Sequence, residues 1–488
     1  MQSPDRQQQS LVSRRRFLRT AAVIGGAGLF GVACGAPSTS PLPTQAPAAG
    51  AATVATQAGP TTTSASAGKT VRLATLDGEP GAGVDAQLAA LTAATGISLQ
   101  TSKFPQSEIR QKIAADLAGG GSFDAVIEPF TWIHEHEKSG LVVPLDQYIA
   151  GDPTIDSSDF IPAVFNAYGN WDGKQWTLPY KPDAQIFFYR KDLFEDPAVQ
   201  AAFKAKTGKD LKVPQTNDDL VETAHFFTKS INPDSPIQYG FVQWGEPIGS
   251  FWNYAIRFAS YGGSYLDAQG RPQFSSDAGR SAMDVELKLL ETGPKDTARY
   301  AWDEMNTAFL TGKVAMIENW PGLATMAEAE TPVGSNAKSE IRGKVGYAIP
   351  PGAMLNGTLN QSSLLGGWAG AVTKNAKDPA AAFAAIAWLT GKAGEPLKID
   401  AGNAPIRKST YAATPATPAT AYFDALSKNL AVAKITADVD VPPIGGQLQD
   451  ILKTNLNQVW AGQLKGNDAL AQTDQQWTDA LKAAALLK

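Results

Sequence analysis

From residue 71 onward the apolar positions fall into two alternating rhythms. Val71-Arg72-Leu73-Ala74-Thr75-Leu76 reads as a strand, residues 84–95 as a helix closed by Gly96, and Ile97 to Phe104 as a second strand. Ser107 to Ala118 places Ile109, Ile113 and Leu117 on one helical face and ends in Gly119-Gly120-Gly121, before the short apolar strand Ala125-Val126-Ile127. The same alternation returns at Gln185–Tyr189, Tyr239–Trp244 and Val314–Ile317. Thr216 with Asp219 three residues later opens a helix, and Asp378-Pro379 opens another that runs to Leu389 before Gly391. Leu448, Ile451, Leu452, Leu456, Val459 and Trp460 recur at helical spacing. Strands alternating with helices, without an internal repeat, predict an α/β fold.

The first 68 residues follow neither rhythm. Ser13-Arg14-Arg15-Arg16-Phe17-Leu18 precedes a run of small apolar residues from Thr20 to Ala33, the layout of an export signal. The Arg14-Arg15 pair before Phe-Leu resembles the twin-arginine signal. Gly31-Val32-Ala33-Cys34 resembles a lipobox, with Gly31 where that pattern prefers leucine, so residues 1–33 are expected to be removed and Cys34 lipidated. Residues 35–68, rich in Ala, Pro, Ser and Thr and carrying no charge, are expected to form a disordered leash reaching at most about 110 Å. The expected location is extracytoplasmic and anchored to the cell membrane, on its periplasmic or outer face.

Composition narrows the functions. With 488 residues, one compact core is insufficient and two or more lobes are expected. A net charge of −5 without long basic runs argues against nucleic acid. One cysteine and three histidines exclude a disulfide framework and a structural zinc site. No phosphate loop, nucleophile elbow or dinucleotide cradle is present, so no cofactor is expected. His134-Glu135-His136 invites a metal reading, but residues two apart diverge on a helix, and the triplet is expected to be a solvated face.

Several tryptophans fall at or near predicted strand ends: Trp132, Trp244, Trp252, Trp320 and Trp368. In open α/β sheets these ends face the ligand cleft. Flat rings suit the C–H faces of a sugar, and carboxylates such as Glu128 and Asp183 suit its hydroxyls. Trp171, Trp176, Trp302, Trp388, Trp460 and Trp477, on helical or loop positions, are read as core.

A series of strings in fixed order resembles a known family. They are Ser107-Glu108-Ile109-Arg110, Phe123-Asp124-Ala125-Val126, Ser139-Gly140-Leu141-Val142-Val143-Pro144-Leu145-Asp146 and Leu178-Pro179-Tyr180-Lys181-Pro182-Asp183. Phe188-Tyr189-Arg190-Lys191-Asp192-Leu193-Phe194, Gly262-Gly263, Ala308 to Met316 and Leu365-Gly366-Gly367-Trp368-Ala369-Gly370 complete the set. Together they resemble the family 1 extracellular solute-binding proteins of bacterial ABC importers, including maltose- and trehalose-binding relatives, over residues 71–481.

The resemblance implies a type II periplasmic-binding-protein-like fold, with two lobes joined by crossing hinge segments. Residues 69–182 and 366–415 would form the N-terminal lobe, and 183–365 and 416–488 the C-terminal lobe. It further implies a monomer that captures an oligosaccharide or sugar alcohol between the lobes, without catalysis, and passes it to a membrane permease. By family position, Glu128, Asp183, Trp320, Trp368, Gly370 and Arg407 would touch the sugar, Glu79 would lie in the loop after the first strand, and Trp252 is placed by position. Trp244 and Trp132 are suggested by strand ends alone, and Asp124 is read as structural. Three rivals stay open, one of them a structural surface adhesin that would hold no small ligand. The same fold could hold a polyamine, which a cleft with several carboxylates and no Arg407 contact would favour. A glycosidase would need two carboxylates about 5–10 Å apart across a bond.

Overall fold

The alternating segments of the sequence become two main sheets, with two further two-stranded ribbons among the described residues. A computed structural model describes residues 68–106, 108–332 and 336–487; Arg14, Arg15, Cys34 and the segment 35–67 lie outside the described residues. The principal strands are β1 (Thr70–Leu76), β2 (Ser98–Phe104), β3 (Ala125–Pro129), β4 (Leu178–Ala184), β5 (Ile186–Arg190), β6 (Tyr239–Val242), β7 (Val314–Asn319), β8 (Val345–Ala348), β9 (Ser363–Val372) and β10 (Ala433–Thr436). Helices that frame the site are α1 (Glu79–Thr95), α2 (Phe130–Lys138), α3 (Pro247–Ser260), α4 (Asp277–Leu290), α5 (Trp302–Leu310), α6 (Gly322–Glu328), α7 (Pro379–Leu389), α8 (Phe423–Val432), α9 (Gly445–Trp460) and α10 (Gly466–Ala483).

The first sheet has the order β10-β9-β3-β1-β2, with β4 also paired to β9. Its β1, β2 and β3 run parallel, while β9 runs antiparallel to β3 and β4. The second sheet has the order β8-β5-β7-β6. The chain passes from the first sheet to the second at Gln185, returns between β8 and β9, and leaves the first sheet again after Thr436. Because β10 stays in the first sheet, this last crossing comes later than the expected division at residue 416.

Local signals act as read. Thr216 Oγ1 accepts from Asp219 N at 3.1 Å and caps the helix Asn217–Phe226, and Asp378 accepts from Ala381 N at 3.0 Å to start α7. Asp124 is structural: it takes Arg72 N, Nε and Nη2 and Lys377 N, tying β1 to the turn after β9. α3, α4, α9 and α10 form a second core around Phe258, Phe274, Leu448 and the fully buried Trp477.

One boundary moves. α1 begins at Glu79, five residues before the expected start, through Glu79-Pro80-Gly81. Glycine and proline there signal a loop from sequence. In the fold, Pro80 suits a first helical turn, and Gly83 lets α1 approach closely, since a Cβ would lie 2.7 Å from Tyr180 Oη. Glu79 is therefore the first residue of a helix instead of a loop residue.

Candidate functional site

β4 carries Tyr180, Lys181 and Asp183 in a stretch that is buried throughout, although it holds Pro179 and Pro182. β9 is its antiparallel partner, with Asp183 opposite Gly366. Tyr168 Oη donates to Gly366 O and accepts from Asp183 N at 3.2 Å, locking the two strands. Gly366 has no side chain to keep neighbours away. A Cβ there would lie 2.8 Å from Trp320 Cζ3 and 3.5 Å from Asp183 Cβ. The indole that follows β7 of the second sheet thus rests on the first sheet, beside Asp183.

Charge gathers at the same point. Lys181 Nζ donates to Asp183 Oδ2 at 2.8 Å and to Glu79 Oε2 at 2.7 Å. Glu79 lies against Gly322 at the start of α6, where a Cβ would overlap its carboxylate. Burial pushes the Asp183 carboxyl up to about 6, with Lys181 pulling it down and Glu79 raising it. Burial alone would lower the Lys181 ammonium, but the two carboxylates outweigh it and raise it. Asp183 Oδ1 and Trp320 Nε1 are buried with no hydrogen-bond partner in the protein.

From Trp320 a row of indoles runs into the second lobe. Trp320 and Trp252 meet edge to face with centroids 5.0 Å apart, Trp252 and Trp244 likewise at 5.0 Å, and Trp244 and Trp302 at 5.2 Å. All four are only partly buried. Trp252 Nε1 donates to Ala437 O at 2.6 Å, on the last crossing segment, and Trp244 Nε1 to Glu246 Oε2 at 3.2 Å. Trp302, read as core from the sequence, belongs to this row; its place at the start of a helix gave no cleft signal. Lys181 carries no cleft signal in the sequence, although it stands inside the string that ends at Asp183.

The other expected contacts lie elsewhere. Arg407 is 1% exposed and structural: Nε donates to Thr390 O, Nη2 to Ile155 O, and Nη1 to Asp156 O and Asp159 Oδ2, while the guanidinium lies 4.0 Å from the Phe160 centroid. All three of its nitrogens are held by the protein. Gly370 faces α7, where a Cβ would meet Ile386 Cγ2 at 2.7 Å. Glu128 is fully buried and pairs with His136 Nε2 at 3.1 Å, on α2. Burial lowers the His136 imidazolium, but Glu128 outweighs it and raises it. His136 is thus an interior partner instead of part of a solvated face. His134 stacks on Trp171 and reaches Asp440 at 2.8 Å. Trp132 is buried under the Arg110 guanidinium, 5.2 Å from its ring centroid, and Trp368 is packed in the main hydrophobic core. A strand end identifies a residue near a cleft without revealing which face its side chain takes.

Two surface grooves lie apart from this cluster. One of 330 Å³ lies beside Lys206, Asp218, His225 and Ile231, and one of 580 Å³ lies beside Gln447, Asp450, Gln458 and Gln472 on α9 and α10. Neither includes a residue of the seam. The seam is the better site because it joins buried polar atoms without partners to aromatic faces from the opposite lobe. Among the described residues no group of three or more metal-binding side chains gathers, and no helix is long and apolar enough to cross a membrane.

Comparison with known proteins bears on the family and the fold. The mannitol-binding protein of Pseudomonas aeruginosa is 26% identical over 80% of this chain and 88% of its own length. A probable amino-acid ABC transporter periplasmic-binding protein of Sinorhizobium fredii is 28% identical over 61% of this chain, which spans only 63% of that relative. An ABC transporter solute-binding protein of Agrobacterium radiobacter, solved in complex with ribitol, superposes with a TM-score of 0.71 at 25% identity, covering 85% of this chain and 99% of that one. A maltose-bound protein of T. maritima superposes at 0.68 with 22% identity, covering 84% and 100%. The family profile of the bacterial extracellular solute-binding proteins matches residues 77–396, well over half the sequence, and the chain belongs to that family.

Proposed function

We propose that the protein is the extracytoplasmic substrate-binding component of an ABC importer, and that it captures a sugar alcohol or oligosaccharide at the seam of Glu79, Asp183, Trp320, Trp252 and Trp244. The observation that carries this is the meeting of Trp320 with Asp183 over Gly366. A hydroxyl can donate to Asp183 Oδ1 and accept from Trp320 Nε1, while the indole row covers carbon-bound hydrogens. The names of the mannitol- and ribitol-binding relatives support the same guest class.

The three crossings between the sheets act as hinges. A guest held by Asp183 from one lobe and Trp320 from the other favours the closed form by its difference in affinity between closed and open. Turning a 1:99 population into 99:1 needs about 5.5 kcal/mol of such difference. The guest leaves unaltered to a membrane permease. A glycosidase reading is less well supported, because Lys181 stands between Glu79 and Asp183 where a bond to be cleaved would lie. In this reading the protein works as a monomer, Arg14 and Arg15 direct its export, and lipid on Cys34 holds it at the membrane.

Isothermal titration with mannitol, ribitol, maltotriose and neutral amino acids tests the proposal. Saturable heat with a polyol or oligosaccharide is expected. Heat from amino acids alone would replace sugar capture with the reading suggested by the Sinorhizobium relative's name.

A further inference from the structure

The sequence criterion for a polyamine site was a cleft with several carboxylates and no Arg407 contact. The seam meets it literally: Glu79 and Asp183 face one point, and Arg407 is held elsewhere. At that point, however, stands an ammonium that the chain itself supplies. Lys181 Nζ is 2.7 Å from one carboxylate and 2.8 Å from the other, and its side chain is 4% exposed. It extends from a strand held on β9, between Pro179 and Pro182, with Trp368 as its register partner. A guest ammonium would need this same place.

We infer that Lys181 is a specificity-determining residue: it fills the cation position between Glu79 and Asp183 and bars cationic guests from the cleft. This rests on the binding-protein reading above and adds the charge class of the guest. Two further observations agree. Lys398 is fully buried beside Tyr180, donating to Tyr180 O on the same strand, so a second cation backs the first. Burial pushes the Lys398 ammonium down to about 8, and Lys181 lowers it as well. The atoms left without partners, Asp183 Oδ1 and Trp320 Nε1, are one acceptor and one donor, which suits a hydroxyl better than an ammonium, a donor only.

The test titrates full-length wild type, Lys181→Met and Lys181→Arg with mannitol, maltotriose, 1,4-diaminobutane and neutral amino acids, by calorimetry. Wild type and Lys181→Arg should give no diamine binding. Lys181→Met should bind the diamine at least tenfold more tightly than wild type and lose at least tenfold in polyol affinity. Should Lys181→Met fail to fold, the double variant Lys181→Met with Glu79→Gln vacates the same place at unchanged net charge, and it too should gain diamine binding. A folded variant lacking Lys181 that still ignores the diamine overturns the inference, as does a wild type that binds it. Wild-type binding of amino acids but no polyol or oligosaccharide would instead remove the sugar reading, while the diamine arm still decides the role of Lys181.

Discussion

Lys181 and Arg257 each stand between two carboxylates, Glu79 and Asp183 in one case, Glu286 and Glu318 in the other. Arg257 Nη2 reaches Glu318 at 2.7 Å and Nε reaches Glu286 at 3.3 Å, with Gln243 also donating to Glu286. The formal charge of the two clusters is the same, but their access to solvent differs. Side chains of the Arg257 cluster are at most 2% exposed, whereas Glu79 is 31% exposed; buried atoms without a partner occur in both, Asp183 Oδ1 in one and Glu286 Oε1 and Arg257 Nη1 in the other. The planar guanidinium spans two elements as a fixed fork; the compact ammonium leaves room beside it. The Arg257 cluster also joins the parts that carry the indole row, because Gln243 adjoins Trp244, Arg257 shares α3 with Trp252, and Glu318 lies two residues before Trp320. In the function proposed here one cluster is scaffold and the other faces the guest, and access separates them where composition does not.

The sharpest way to break this contrast is Arg257→Ala. It leaves two buried carboxyl groups, Glu286 and Glu318, without their cation and should cost about 3–5 kcal/mol in urea unfolding. Lys181→Met should cost less than half of that, since Glu79 can turn to water. Equal losses would mean that the seam is scaffold too. Next in size, Trp320→Ala should weaken polyol binding by about 2–3 kcal/mol, as removal of an interface anchor does, while changing stability by less. Unchanged calorimetric affinity would remove Trp320 from the site.

The pH response sharpens the contrast further. Burial pushes Glu286 up to about 8, with Arg257 pulling it down and Glu318 raising it. The folded state therefore holds a proton that the unfolded chain releases near pH ~4.3. This contribution to stability is complete below the unfolded value and is lost as pH rises through about 8. Glu286→Gln should flatten the decline in unfolding midpoint between pH 5 and 8, and an unchanged slope would refute the assignment. Asp183→Asn should act in the same sense over the lower window that ends near 6. The smallest effect is expected from Gly370→Ala: crowding against Ile386 should cost about 1–3 kcal/mol, with polyol affinity within about twofold of wild type.

Much of the fold was legible because its signals are local. The caps at Thr216 and Asp378 and the apolar face of α9 each depend on residues within a few positions of one another. The candidate site was legible only in part. Asp183, Trp244, Trp252 and Trp320 were expected near the cleft, and the structure groups them with Glu79. Arg407, Gly370 and Glu128 were placed by string or strand end, and each turns toward helices instead. Lys181 could have been suspected as a lysine inside the apolar, proline-rich stretch before Asp183, but nothing local showed that two carboxylates would meet it.

The sequence by itself marked six of the ten principal strands and several of the helices, because side-chain periodicity and capping act over one or two turns. Tertiary structure alone decided that Glu79, Lys181 and Asp183 share one point and that Trp320 lies over Gly366. Those contacts follow from the antiparallel register of β4 on β9 and from the packing of α6 against the start of α1. Pairings between distant segments depend on how whole lobes fit together, and a single sequence carries no direct mark of them.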